Sequence, residues 1–374
     1  MKKKFNPGDV VIRKARVNDL TQLLEVENAC FDYDQLTRRN FHWMIRHAHS
    51  IFMVLDYKTK IIGYGLVLIN SGTSLARLYS ICTLKEFQGY GLASKLIKNL
   101  EEKASDDEDC AYLRLEVRSD NKDAIGLYKK LGYQKFTEKP HYYEDGTAAY
   151  CYEKRIRVLK KKPRLNIPYH QQGTDFTCGP SCLLMAMKAL KSKTEMNLTQ
   201  ELRIWREATT IFMTSGHGGC GPQGLALAAK RRGFEVELYL SHTDTLFLDT
   251  VRSLEKKKVI ELVQKDFETQ IAEKGIEVHR KRITLADIKE VLNAGGIPIV
   301  LISTYHLDSN RIPHWVVVTA YDDSFVYIHD PDQDLSDVKD GVIGRTHIPI
   351  QEDQFLKISR WGKAKVSATV VISG

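Results

Sequence analysis

Cys178 opens the apolar run of PYHQQGTDFTCGPSCLLMAMKAL (168–190), whose pattern predicts a helix from Cys178 to Leu190. A helix N-terminus favours the thiolate, so a cysteine there is a candidate nucleophile. Gln172, six residues upstream, carries an amide that with the Cys178 backbone N–H would form an oxyanion hole. A cysteine at a helix start is more often structural than catalytic, so the chemistry requires a base. His314 is the candidate. HWVVVTAYDDSFVYIHDP (314–331) reads as two strands joined by a turn at Tyr321–Ser324, and closing that hairpin brings His314 and Asp330 to its open end. With an odd loop or one bulge the two stand directly opposite, their side chains ~5 Å apart. Asp330 would then fix the imidazole tautomer while the imidazole takes the thiol proton. His306, His329 and Asp332 compete for these roles, and each reads more simply as surface or turn. Cys182 lacks the second cysteine pair a zinc site needs and reads as core. His217 and Cys220, in TSGHGGCGPQG (214–224), read as a loop passing close to another backbone, so no metal is expected.

A second set of residues lies in the first half. FQGYGLASKLI (87–97) follows a strand-like run and opens a helix, with small residues where a backbone must approach a ligand closely. Unpaired N–H groups at such a helix start point at an anion such as a pyrophosphate. Further on comes LRLEVRSDNKDAIGLYKKLGY (113–133), in which Glu116 alternates with Leu115 and Val117 as a strand's solvent face would. Tyr128 reads, on its own, as a helix residue packed on the sheet.

The order Q-x-x-G-x-A, then LEVR-x-x-N-x-x-A-x-x-LY-x-x-x-GY, then HYYEDGTAAY (141–150) resembles the GNAT acetyltransferase superfamily. Within it the resemblance is to the RimI-like N-terminal (ribosomal-protein alanine) acetyltransferases. It spans roughly the first 155 residues. The resemblance implies acetyl-CoA as donor and a primary amine as acceptor. By it, the main chain of Ile81, Cys82 and Thr83 flanks the acetyl and pantetheine arm. Gly89, Tyr90, Gly91, Leu92, Ala93 and Ser94 hold the pyrophosphate, and Asn121 contacts the arm. Glu116 matches the family's general base and Tyr128 its general acid. The amine must lose a proton and the leaving thiolate must gain one. The loop CFDYDQLTRRNF (30–41) departs from the pattern, lacking the Pro-Trp-Ser that stands there in RimI proteins.

The second half, with Q-x5-C-G-P followed by H-W-V-V-V-x-x-Y-D…D-P, is similar to the bacteriocin-processing (double-glycine) cysteine peptidases. That resemblance implies a papain-like fold over roughly residues 165 to 374, with Gln172, Cys178, His314 and Asp330 as its catalytic set. Such enzymes commonly sit on transporters. A peptide precursor or a transporter is thus an implied partner.

The elements that must position these residues fall in two blocks. Before the boundary, strands fit 10–17, 51–57, 61–69, 75–84 and 111–117, and helices fit 18–29, 34–48, 91–103 and 122–131. That is an α+β domain around one mostly antiparallel sheet. After it, helices fit 178–190, 198–208, 222–232, 258–274 and 285–293, and strands then dominate at 297–303, 315–321, 325–330 and 366–373, again α+β. The chain of 374 residues is read as a transferase domain over 1–158, a basic linker over 159–165 and a peptidase-like domain over 166–374.

The net charge of +8 does not argue for nucleic acid. Glu153–Leu165 holds seven basic residues against one acid, so most of the excess sits in a tether rather than on a face. No apolar run reaches the ~18 residues that span a bilayer. Seven cysteines without an export signal fit free thiols in a reducing cytoplasm. The expectation is a cytoplasmic bifunctional enzyme, an amine N-acetyltransferase fused to a cysteine peptidase, acting on a peptide or protein with a free amine. The alternative keeps the transferase and makes the second half a peptide-binding module with an inactive triad. The reach between Cys178 and His314 separates the two.

Overall fold

The computed structural model describes residues 5–69, 74–159, 163–209, 212–213, 216–242, 253–303, 313–332, 345–362 and 364–374. His306 and linker residues 160–162 lie outside them, as does the side chain of His217. Two compact units share the chain, Met1–Val158 and Leu159–Gly374.

The first unit runs β1 (Val10–Lys14), α1 (Leu20–Cys30), α2 (Arg38–Arg46), β2 (Ser50–Tyr57), β3 (Lys60–Ile69) and β4 (Leu75–Thr83). It continues through α3 (Leu92–Asp106), β5 (Tyr112–Arg118), α4 (Lys122–Lys130), β6 (Gln134–Lys139) and β7 (Ala149–Arg155). The sheet order is β1-β2-β3-β4-β5-β7-β6. Every pairing is antiparallel except that of β4 with β5. Strand side chains alternate between faces, so Leu113, Leu115 and Val117 of β5 all join one core. Leu92, Leu96 and Leu100 of α3, one helical turn apart, pack into it, each contributing about 2 kcal/mol. The other face is covered by Leu23 of α1 and Phe41 of α2 over Phe52, Val54 and Leu66.

One local break matters. The parallel pair is in register only where Leu75–Leu78 lie opposite Tyr112–Leu115. Beyond that point β4 runs on to Thr83 and β5 to Arg118 without pairing each other. The sheet opens there.

The second unit begins with α5 (Cys178–Leu190), α6 (Leu198–Ala208), the ribbon β8 (Phe212–Met213) with β9 (Gly216–His217), and α7 (Pro222–Arg231). Next come β10 (Glu235–Leu240), α8 (Leu254–Glu273), β11 (Glu277–His279), α9 (Leu285–Ala294), β12 (Ile297–Ser303), β13 (Pro313–Tyr321) and β14 (Phe325–His329). It ends in β15 (Ile348–Gln351), α10 (Glu352–Ile358) and β16 (Ala368–Ser373). The sheet order is β11-β10-β16-β12-β13-β14-β15, an α+β arrangement as read from the sequence. Ile297, Ile299 and Leu301 of β12 face a core with α5 and α7, while Val300 and Ile302 face a second core with α9 and α10. The Thr284–Asp287 capping box predicted for α9 forms, with each side chain taking the other's backbone N–H.

The structure corrects three expectations. Pairing of β13 with β14 sets Val317 opposite His329, with a bulge between Val318 and Ala320. His314 and Asp330 therefore meet on a diagonal, two residues out of direct register. His329 is buried rather than in a surface turn: its Nε2 donates to the Ile167 carbonyl at 3.0 Å while its Nδ1 accepts the His347 N–H at 3.0 Å. Finally, β6 to β11, β15 and α10 were not expected. In β6 the reason is physical: QKFTEK is an edge strand whose charges discourage further pairing and blur the strand pattern.

Candidate active sites

The opening between β4 and β5 leads into a cavity of about 760 Å³, lined by Ile81, Glu116, Asn121 and Tyr128 among others. Cys30, Asp32 and Tyr33, from the loop that departs from the RimI pattern, line it too. Tyr128 is buried on α4, and burial pushes its phenol up, so it stays protonated at neutral pH. Its hydroxyl has no hydrogen-bond partner among the described residues.

Glu116 is engaged on both oxygens. Arg77 Nε donates to Oε2 and Lys139 Nζ to Oε1, each at 2.8 Å. Burial works to raise its pKa, but the cations of Lys139 and Arg77 outweigh it and hold the carboxyl below its ordinary range. The group is thus an ionised carboxylate that takes a proton readily only once a cation moves off. Another carboxylate lines the cavity. Glu27 of α1 is buried, accepts the Leu36 N–H at 2.7 Å and takes the Tyr64 hydroxyl, and burial pushes its pKa up. Glu27, Arg77 and Lys139 were not read from the sequence. For Glu27 a signal existed, a lone acid on the stripe of Leu20, Leu23 and Val26.

The glycine loop leaves open space ahead of α3. Gly91 precedes α3 at φ 75°, a left-handed conformation that other residues adopt only with strain. A Cβ built on Gly89 or Gly91 would meet no protein atom within 4 Å, so the space before the helix N-terminus is open. The Gln88 side chain ties the loop to the Thr83 carbonyl at 3.0 Å. Thr83 Oγ1 is buried without a partner among the described residues, a donor left for the arm of a bound molecule. Leu92 is buried in the core, so it offers only main chain, and Tyr90 stacks edge-on against Phe5. Asn121 caps α4, its Oδ1 accepting the Ala124 N–H at 3.0 Å. Cys82 neighbours Cys30, whose thiol pKa it lowers. These residues fit acetyl-CoA, the donor that GNAT acetyltransferases use.

In the second unit the sequence-selected residues also converge. Cys178 starts α5, and its side chain is near enough to the His314 ring to raise the imidazole pKa. His314 Nε2 lies 2.7 Å from Asp330 Oδ1, which leaves Nδ1 for the thiol. Burial lowers the imidazole pKa, but Cys178 and Asp330 together hold it well above the ordinary histidine value. Burial would raise that of Asp330, yet His314, Arg345 and the Asp332 N–H bring it down to about 2. Arg345 Nη1 donates to Asp330 Oδ2 at 2.8 Å, a partner no sequence signal pointed to. Gln172 is tied to the turn after Asp330, its N–H donating to the Pro331 carbonyl at 2.8 Å and its amide to Asp332 Oδ1 at 3.3 Å.

Packing holds this set still. The Cys182 thiol donates to the Trp315 carbonyl at 3.2 Å, and Trp315 Nε1 to the Cys220 carbonyl at 3.1 Å, so β13 is pinned to α5 beside His314. A Cβ on Gly179 would come within 3.0 Å of Leu225 and 3.1 Å of Trp315, so the residue after Cys178 has little room for a side chain. Glu201 of α6, fully buried, was not anticipated although it shares a helical stripe with Ile204, Trp205 and Ala208. It accepts from His170 Nε2 at 3.0 Å, from the Gly173 N–H at 2.8 Å and from the Thr177 hydroxyl. One carboxylate thus clamps the whole segment between Gln172 and Cys178.

Glu201→Ala is expected to destabilise the chain by about 3 kcal/mol in denaturant unfolding, because it strands the buried Thr177 hydroxyl together with the part-buried donors of His170 and Gly173. Burial favours the protonated form of Glu201, but His170, Thr177 and Gly173 more than offset this and hold its pKa down. Its stabilisation is therefore full above the unfolded carboxylate value of ~4.3 and is lost as pH falls through the lower folded value. The wild-type minus Glu201→Ala stability difference should shrink in acid; a constant difference would refute the assignment.

Residues 17–133 match the Acetyltransferase (GNAT) family. An uncharacterized N-acetyltransferase of Methanocaldococcus jannaschii is 30% identical over 159 residues, 42% of this chain and 96% of the relative. An N-alpha-acetyltransferase of Sulfolobus acidocaldarius is 28% identical over 37% of this chain and 88% of its own length. The catalytic subunit of the N-terminal acetyltransferase A complex of Arabidopsis thaliana is 26% identical over 40% and 79%. The N-terminal half is a GNAT acetyltransferase domain. Residues 167–373, more than half the chain and the part that holds Cys178, His314 and Asp330, match a second family over nearly the whole second unit. By that match the chain belongs to the Peptidase_C39-like family, with a GNAT acetyltransferase domain ahead of it.

Proposed function

We propose that the chain is a bifunctional enzyme, which hydrolyses a peptide bond at Cys178 and acetylates a primary amine, a peptide or protein N-terminus, at Glu116 and Tyr128. The observation that carries the peptidase reading is His314 bonded to Asp330 with Cys178 close enough to the same ring to shift its pKa. Contact between Cys178 and His314 is what the inactive-module alternative lacks. In this reading the fold is papain-like, Cys178 attacks as thiolate, His314 moves the proton, and Asp330 holds the ring. Gln172 and the Cys178 N–H bind the oxyanion.

On the transferase side acetyl-CoA supplies the activated acetyl group. The chain holds it with the main chain of Ile81 to Thr83, the loop Gly89 to Ser94, and Asn121. Glu116 takes the amine proton and Tyr128 Oη gives one to the leaving sulfur. The names of the Sulfolobus and Arabidopsis relatives support an N-terminal α-amine as acceptor. All seven cysteines are free, which supports a reducing cytoplasm as the place of work. No helix among the described residues is long and apolar enough to cross a membrane.

A peptidase makes a new N-terminus and an N-acetyltransferase caps one, so one ribosomally made precursor would be matured twice. Candidate precursors incubated with the chain and acetyl-CoA should show by mass spectrometry a cleaved fragment, acetylated at its new N-terminus. Cys178→Ala should leave only uncleaved peptide. If that variant changes neither cleavage nor acetylation, the coupled reading fails.

A further inference from the structure

The amine that touches Glu116 belongs to the protein itself. Lys139 is the last residue of β6, its backbone paired with Ala149 of β7, and its side chain crosses β7 to reach β5. Ala149 and Cys151, small and buried, are the β7 residues it passes. Lys139 Nζ lies 2.8 Å from Glu116 Oε1 and 5.1 Å from the centre of the Tyr142 ring, and its side chain is half exposed. A general base must be within hydrogen-bond reach of the proton it removes. By that criterion Lys139 stands where an acceptor amine would stand, in contact with two residues, Glu116 and Tyr142, that line the cavity with Tyr128.

We infer that Lys139 is a self-acetylation site, and that its acetylation releases Glu116 for acetylating other amines. The inference rests on the transferase reading of Glu116 and Tyr128. The Nζ–acetyl carbon bond forms and the thioester carbon–sulfur bond breaks. One ammonium proton passes through Glu116 to water, and Tyr128 protonates the sulfur and recovers a proton from the nitrogen. Net, an ammonium and a thioester give an amide, a thiol and one released proton. Holding the amine beside its base makes the reaction intramolecular, which raises its effective concentration far above that of any free peptide. The neutral amide no longer pairs with Glu116, leaving Arg77 as its remaining cation.

The full chain incubated with acetyl-CoA alone, then digested for mass spectrometry, should carry an acetyl group on Lys139, formed at a rate independent of protein concentration. Tyr128→Phe should slow that rate about 100-fold. In protein without acetyl-CoA, Lys139→Gln should raise the pH at which the Glu116 carboxyl titrates, followed by its carbon chemical shift. An unmodified Lys139 overturns the proposal, as does a rate proportional to protein concentration. An unchanged Glu116 titration overturns the release. A peptide acceptor assayed in parallel tells whether the transferase reading has fallen as well, since peptide turnover with unmodified Lys139 rejects self-acetylation alone.

Discussion

Replacing Cys178 with alanine is expected to lower peptide cleavage by about 10⁴-fold or more, while acetyl transfer to a preformed N-terminus stays at the wild-type rate. The nucleophile is the one group in the second unit for which a neighbour offers no substitute. Cys182 and Cys220 are buried, and burial pushes both thiols well above their ordinary value, so neither becomes a thiolate at neutral pH. His314→Ala should cost about as much, and the double variant no more than either, because the two residues act as one unit. The pH profile carries a second check. Cys178 and Asp330 hold the imidazolium of His314 above the ordinary histidine range, so cleavage should persist into alkaline pH and fall as His314 loses its proton. Asp330→Asn keeps the shape but removes a charge, and should move that alkaline limb down. Cleavage that survives Cys178→Ala would leave the second unit without its proposed chemistry.

Much of this site was legible because its signals are local. The bounds of α5 follow from an apolar run, and Cys178 sits at its start. His314 and Asp330 flank one hairpin, whose turn is set by Asp322 accepting the Ser324 and Phe325 N–H groups. What the sequence hid is non-local. The bulge at Thr319 shifts the pairing by one residue, which puts His314 and Asp330 on one face as a diagonal rather than a direct pair. Arg345 reaches Asp330 from a segment with no motif of its own. Lys139 escaped because β6 was not recognised as a strand, and a lysine's partner across β7 depends on strand order, which β4 to β7 take out of sequence. Glu27 and Glu201 were within reach, since an acid on an otherwise apolar helical stripe marks either a clamp or a site.

In the first unit the largest effect is expected from Tyr128→Phe, which should lower kcat for acetyl transfer about 100-fold or more and leave the KM for acetyl-CoA unchanged. The substitution removes one oxygen and nothing else. That hydroxyl has no partner among the described residues, so thermal stability should hold, which separates lost chemistry from lost packing. Glu116 differs. Its carboxylate anchors Arg77 and Lys139 across three strands, so Glu116→Gln disturbs structure and base at once. Because burial raises the Tyr128 phenol, the hydroxyl stays protonated through the neutral range. The rate should therefore climb with pH as the acceptor amine loses its proton, with no fall near the ordinary tyrosine value of ~10. A Tyr128→Phe enzyme within threefold of wild-type kcat would hand the proton-donor role to another group. Glu27 would then be first to test, since it lines the same cavity and burial has already raised its pKa.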